Sequence, residues 1–217
     1  MTTSETIRRV REAGVLAVLR APSAAHAVAA GDALVRGGVT GLEITYSTPD
    51  APAAIRELVA RHGDAALVGA GTVTTPAQAE EAADAGAAFL VSPGTDEQVA
   101  RAMTATGRAA MTGALTPSEV MRALSLGADV VKIFPASLGG PAFLRALRGP
   151  FPDAPLMPTG GVTSENIPDW IAAGAIAVGA GGDLCPATAL AEERYDVIER
   201  LAREFRAAFV RATGGAA

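Results

Sequence analysis

The chain has 217 residues, of which 49% are hydrophobic, 19% charged and only 4% aromatic. This is ample material for a core, and a supply of alanine and glycine favours close packing of helices on strands over a sandwich of bulky rings. A net charge of −5, with scattered arginines and no basic stripe, excludes nucleic acid as an expected partner.

The N-terminal segment MTTSETIRRVREAG has no apolar signal core, and no run approaches membrane-spanning length, so no membrane partner is expected. Cys185 stands alone, which excludes an internal disulfide and suits a reducing, cytoplasmic setting. Short apolar runs then alternate with longer helical patterns. The runs are VLAVLR at 15–20, GLEITYS at 41–47, LVGAGTV at 67–73, FLVSPG at 89–94, AAMTGA at 109–114, VVKIFPA at 130–136, PLMPTGG at 155–161 and IAVGAGG at 176–182. Helix starts are signalled at Ser23, Thr75-Pro76, Thr95-Asp96, Thr116-Pro117 and Thr163-Ser164, with Pro76 and Pro117 suited to the first turn. Gly37-Gly38, Gly86, Gly107, Gly127 and Gly174 punctuate the helix ends. Toward the C-terminus, Ile198, Leu201, Phe205 and Phe209 recur at helical spacing among glutamates and arginines, which predicts a solvated amphipathic helix.

Eight strand–helix units without a composition break predict an α/β fold. It is read as a (β/α)8 TIM barrel with an N-terminal helix, spanning 1–217 as a single domain. An open doubly wound sheet is the competing topology.

Lys132, in VVKIFP, is the only lysine; the other seventeen basic residues are arginine. Arginine keeps its proton at any accessible pH, whereas a desolvated lysine can lose it and act as a nucleophile. A single amine inside an apolar strand suggests covalent catalysis through a Schiff base, against the alternative of a surface lysine with its stem packed down. Alternation puts Val130, Lys132 and Phe134 on one face. Glu43 interrupts the second strand in the same way, with Thr45 and Ser47 on its face. It is either a proton shuttle or half of a structural ion pair with Lys132. Arg20 closes the first strand and suits a substrate carboxylate or phosphate, or a salt bridge to a neighbouring loop.

PTGGVTS at 158–164 and AVGAGGDL at 177–184 end strands seven and eight, each near a helix start. Together they offer a phosphate cradle of backbone N–H groups. GAGT at 69–72 lacks the rest of a dinucleotide fingerprint and is read as a strand end bringing Thr72 to the rim. His26 and His62 lie in separate helical segments with no ligand-spaced cluster, so no metal site is expected.

Taken in order, VLAVLR, LEITYSTP, GAGTVT, FLVSPG, TPSEV, VVKIFPA, PTGGV and AVGAGGDL resemble the 2-keto-3-deoxy-6-phosphogluconate (KDPG) aldolase and 4-hydroxy-2-oxoglutarate aldolase family, from about residue 5 to about 210. The resemblance implies a class I aldolase on a (β/α)8 barrel, a homotrimer that uses neither metal nor cofactor. Its substrate would be a small 2-keto-4-hydroxy acid, cleaved to pyruvate and an aldehyde. It implies Lys132 as the Schiff-base lysine and Glu43 as the general acid/base. Thr72 would bind the pyruvyl carboxylate and Arg20 would be a rim arginine. Pro93, Phe134 and Thr159 would wall the pocket, while Gly160, Gly161 and the backbone near Gly182 would cradle phosphate. Three positions depart from the common pattern: Ser47 where many members have arginine, Gly182 where many have serine (with Asp183 following), and Thr112 where proline is common. The competing readings are another phosphate-binding barrel enzyme, an epimerase or synthase, and a non-catalytic sugar-phosphate-binding barrel.

Overall fold

The computed structural model describes residues 1–215; of the 1–217 span expected as one domain, the last two residues lie outside the described part. In chain order the elements are α1 (Thr3–Ala13), β1 (Val15–Leu19), α2 (Ala24–Arg36), β2 (Gly41–Thr45), α3 (Ala51–His62), β3 (Leu67–Gly71), α4 (Pro76–Asp84) and β4 (Phe89–Val91). They continue with α5 (Glu97–Ala105), β5 (Ala109–Ala114), α6 (Pro117–Ser125), β6 (Val130–Ile133), α7 (Gly140–Arg148), β7 (Leu156–Pro158), α8 (Ile167–Ala172), β8 (Val178–Ala180), α9 (Ala187–Ala191) and α10 (Tyr195–Thr213). The strands form one sheet in the order β7-β6-β5-β4-β3-β2-β1-β8. A bridge between Thr159 and Gly179 joins its two outer strands and closes the barrel. The fold is the (β/α)8 barrel, not the open sheet.

The two faces of the strands build two separate cores. Inward side chains such as Leu16, Leu67, Phe89, Met111, Val130 and Met157 fill the N-terminal half of the barrel. Val10 of α1 joins that cluster, so the N-terminal helix plugs the barrel from below. Outward residues, among them Leu42, Leu90, Val131 and Leu156, meet the helices through Ala27, Ala30, Ala54, Ala79 and other small side chains. Alanine costs no side-chain entropy on burial and lets each helix approach closely, which explains the scarcity of aromatics.

The helix starts follow cap chemistry. Ser23 caps α2, and Asp96, the second residue of the expected pair, caps α5. Thr75 and Thr116 form complete capping boxes with Gln78 and Glu119. Thr163-Ser164 does not start α8; that helix begins only at Ile167, after Asn166, because the Asn166 side chain organises the intervening loop. The two glycine-rich runs contribute only three strand residues each, and their glycines form the loops beyond. In α10, Ile198, Phe205 and Phe209 are buried while Leu201 is half-buried, as the amphipathic pattern predicts.

The capping box of α6 makes a direct test. The Glu119 carboxylate accepts from the Leu115 and Thr116 N–H groups at 2.9 and 2.8 Å. The Leu115 N–H foremost, with the Thr116 hydroxyl, holds its pKa below the usual value. Thr116→Ala should lower the unfolding free energy by about 1 kcal/mol near neutral pH, read from the denaturant midpoint. Because the folded pKa is depressed, the carboxylate's contribution is complete above the unfolded pKa and fades as pH falls through the folded one. Both midpoints should fall in acid, and the gap between them should narrow only by the share of the Thr116 hydroxyl bond to the carboxylate, since the Glu119 N–H still donates to that hydroxyl in the wild type.

Candidate active site

Lys132 and Glu43 meet inside the barrel. The Lys132 Nζ lies 3.3 Å from Glu43 Oε1, with the side chains 5% and 0% exposed. Lys132 projects from β6 and Glu43 from β2, both inward-facing and both above the apolar plug. The amine also sits 5.4 Å from the centroid of the Phe134 ring, at the position that strand alternation assigns. Glu43 Oε2 has no hydrogen-bond partner among the described residues although it is buried. A buried carboxylate oxygen left bare is costly in a purely structural pair, but it is what a group that must exchange protons with a bound molecule requires.

Glycines make room for Glu43 and for the groups that pack around the chamber. A Cβ on Gly71 would stand 2.1 Å from Glu43 Oε1, and one on Gly179 would stand 2.3 Å from Thr159 Oγ1. A Cβ on Gly113, beside Lys132 in the β5–β6 register, would collide with the Pro93 backbone at 2.2 Å. Thr95 ties the same loop down by donating to the Gly113 carbonyl at 2.7 Å. Thr159, buried beside this chamber, also has no partner for its hydroxyl among the described residues. Thr72 follows Gly71 with φ +56°, an uncommon conformation for a β-branched residue that costs on the order of 1–3 kcal/mol. It is half-buried at the top of β3.

Above β7, Gly160 and Gly161 have φ +93° and +75°, so only glycine runs here without strain. The Asn166 side chain holds this turn in shape, a role the sequence reading missed. Its Oδ1 accepts from the Thr163 N–H at 2.9 Å and from Trp170 Nε1 at 3.1 Å, and its Nδ2 donates to the Gly161 carbonyl at 2.8 Å. Gly182, beyond β8, is exposed, with open space where a Cβ would stand. The N–H groups of Gly161 and Gly182 find no partner among the described residues. The expected helix starts do not abut these glycines: α8 and α9 begin at Ile167 and Ala187 and are only six and five residues long. Any anion here is met by loop N–H groups and not by a helix end.

Arg20 is exposed at the mouth and takes part in no salt bridge among the described residues, so the alternative of a structural ion pair is not realised. Its Nη1 lies 3.7 Å from where a Gly181 Cβ would stand, which leans it toward the end of β8. Across the eight loops that follow the strands it is the sole arginine, among Asp50, Asp96, Glu165 and Asp183. His26 bonds Ser23, and His62 bonds Asp32 at 2.8 Å, both on the helical layer away from the lysine. Among the described residues no group of three or more His, Cys, Asp or Glu could hold a metal ion.

This arrangement can be set against known proteins. The family model for KDPG and KHG aldolases matches residues 6–201. The chain belongs to the KDPG and KHG aldolase family. It is a class I aldolase, a lyase. It is 43% identical over 180 residues to a 2-dehydro-3-deoxy-phosphogluconate aldolase of Dickeya dadantii, covering 82% of this chain and 84% of that one. A KHG/KDPG aldolase of Escherichia coli is 42% identical with the same coverage. A KDPG aldolase of Legionella pneumophila, solved with pyruvate captured as a covalent carbinolamine, superposes with a TM-score of 0.84 at 31% identity, covering 94% and 97% of the two chains.

Within this aldolase the departures from the common family pattern have distinct surroundings. Ser47 is exposed and bonds the Thr45 hydroxyl at 2.7 Å, and Thr45 in turn donates to the Leu19 carbonyl at 2.8 Å. Thr112 shares its face with the outward Ala110 and Ala114, so its side chain belongs to the layer behind the barrel. The Asn166 network gives a test of the β7 turn. Asn166→Ala should raise KM for a phosphorylated substrate by roughly tenfold, the worth of one or two lost hydrogen bonds. Solvent exchange of pyruvate methyl protons, which needs no phosphate, should be unchanged by NMR.

Proposed function

We propose that the protein cleaves 2-keto-4-hydroxy acids to pyruvate and an aldehyde through an imine on Lys132. The observation that carries this reading is the buried amine 3.3 Å from a carboxylate whose other oxygen has no partner among the described residues. The neutral Lys132 amine attacks the substrate C2 ketone to give a carbinolamine, and Glu43 supplies the proton that lets water leave. The protonated imine draws in the electrons of the C3–C4 bond as the C4 hydroxyl loses its proton to Glu43, directly or through water. The aldehyde departs, C3 of the enamine is protonated, and hydrolysis releases pyruvate and the free amine.

In this reading Thr72 receives the pyruvyl carboxylate. Pro93, Phe134 and Thr159 shape the wall around the imine, while Arg20, Gly160, Gly161 and Gly182 meet the distal end. Support for Thr72 is its strained backbone at the rim, and support for Thr159 is its bare hydroxyl. The distal end is lightly charged, since Arg20 is its only arginine and Asp183 lies next to Gly182. KDPG, its unphosphorylated analogue and 4-hydroxy-2-oxoglutarate are therefore all proposed as substrates. The products beside pyruvate would be glyceraldehyde 3-phosphate, its unphosphorylated counterpart or glyoxylate. A homotrimer working in the cytoplasm completes the proposal, on the strength of the family resemblance and the lone cysteine; no described helix is long and apolar enough to cross a membrane.

Two experiments test it. Pyruvate with borohydride should attach one pyruvate-derived group to the peptide carrying Lys132, and Lys132→Arg should abolish both label and turnover, because guanidinium keeps charge without nucleophilicity. Glu43→Gln should stay folded and lose roughly 10²–10⁴-fold in cleavage and in methyl-proton exchange. Turnover that persists in Lys132→Arg removes the imine mechanism.

A third experiment concerns substrate choice. Gly182 has room for a side chain and lacks a positive φ, so Gly182→Ser adds a hydroxyl without strain. One added hydrogen bond to an anion, about 1.5–3 kcal/mol, should raise the preference for KDPG over its unphosphorylated analogue by roughly ten- to a hundredfold in kcat/KM. A wild-type preference already above roughly 10⁴-fold, unmoved by the substitution, removes the weakened-cradle reading.

A further inference from the structure

We infer that the end of the barrel opposite the catalytic mouth carries a second binding site, for a small polyanion such as a phosphorylated carboxylic acid. The C-terminal ends of α1, α7 and α8 converge there on a cleft of about 690 Å³, whose walls include Arg11, Arg145, Arg148, Asp153 and Gly174. That volume falls within the ordinary range for small-molecule sites.

What sets the cleft apart is that three arginines without a carboxylate partner face one concavity. Eight of the seventeen arginines form salt bridges to carboxylates on the protein surface. Arg11, Arg145 and Arg148 form none among the described residues, and neither does Asp153 beside them. In a chain of net charge −5 this is a local excess of positive charge in a concave place.

One of the three is already fixed in position. Arg148 donates to the Pro152 carbonyl at 2.7 Å and to the Gly174 carbonyl at 3.2 Å. Its stem lies where a Gly174 side chain would be, 2.5 Å from the position of a Cβ, so the glycine makes room for it. Arg145 stands one turn earlier on the same face of α7. The helix-end dipole explains why cations gather at helix C-termini, and it accounts for the carbonyl bonds of Arg148. Arg11 and Arg145 also stand in the last turns of α1 and α7, but they are exposed on the cleft and make no hydrogen bond among the described residues, so their guanidinium groups stay free for a ligand. Guanidinium forks match the paired oxygens of carboxylate and phosphate, and two free forks beside a fixed one suit a ligand with two anionic groups.

The test uses the intact protein and inorganic pyrophosphate, titrated calorimetrically at low ionic strength. Wild type should bind it, and Arg11→Ser with Arg145→Ser should weaken that binding by roughly tenfold or more, while aldol turnover and melting temperature stay unchanged. Arg20→Ala, at the opposite end, should leave the same affinity intact, which separates this cleft from the mouth. Arg145→Lys, which keeps the charge and loses the fork, should fall between wild type and the double variant, and it serves if the double variant melts early. No binding to wild type, equal affinity in wild type and the double variant, or loss of binding in Arg20→Ala would each overturn the inference.

Discussion

A lysine and a glutamate buried together in an apolar barrel set the terms for everything around them. Each is tolerable only because the other stands 3.3 Å away, and both need room that eight inward-facing strands would ordinarily fill. The chain meets that demand by dividing the barrel along its axis. Below the pair lies a packed plug of Leu16, Leu67, Phe89, Met111, Val130 and Met157, stoppered by Val10. At and above it, Gly71, Gly113 and Gly179 leave the wall bare where Glu43, Thr159 and the Pro93 backbone press inward. A polar chamber is thereby mounted on a dry foundation. The pair keeps its geometry because its supports come from strands and not from loops.

Much of this could be read from residues alone, because strand period and cap chemistry are local. Every strand begins within a run recognisable by its apolar character, and Thr75 and Thr116 announce their helices through capping boxes. A lone lysine in such a run marked the candidate site for a similar reason, since nothing about a buried strand calls for an amine. What escaped detection depends on contacts between distant segments. The glycines after β7 looked like the start of a helix, yet Asn166 folds back on Gly161 and postpones α8 to Ile167. The cleft formed by Arg11, Arg145 and Arg148 draws on helices far apart in the chain, which no local pattern could bring together.

The two ends of the barrel also differ electrically. The mouth combines one arginine with Asp50, Asp96, Glu165 and Asp183, whereas the cleft at the far end gathers three arginines around one aspartate. A substrate reaching the lysine therefore meets a surface with little long-range attraction for a dianion. In the proposed function, recognition at the mouth falls to short-range donors, the loop N–H groups of Gly161 and Gly182, which act only after the ligand has arrived.

The solitary lysine has a consequence beyond its own chemistry. Aldehydes condense with any accessible primary amine, and an aldolase releases an aldehyde at every turnover. An ordinary surface would offer a dozen or more lysines to that product, each open to slow glycation and cross-linking. Here the only ε-amine is 5% exposed and committed to the chamber, while the outer shell carries guanidinium groups that form no stable imine with a simple aldehyde. The enzyme's exterior is thus chemically quiet toward the compound it makes, and amine-directed labels applied to the folded protein have almost no ε-amine to find outside the place where it works.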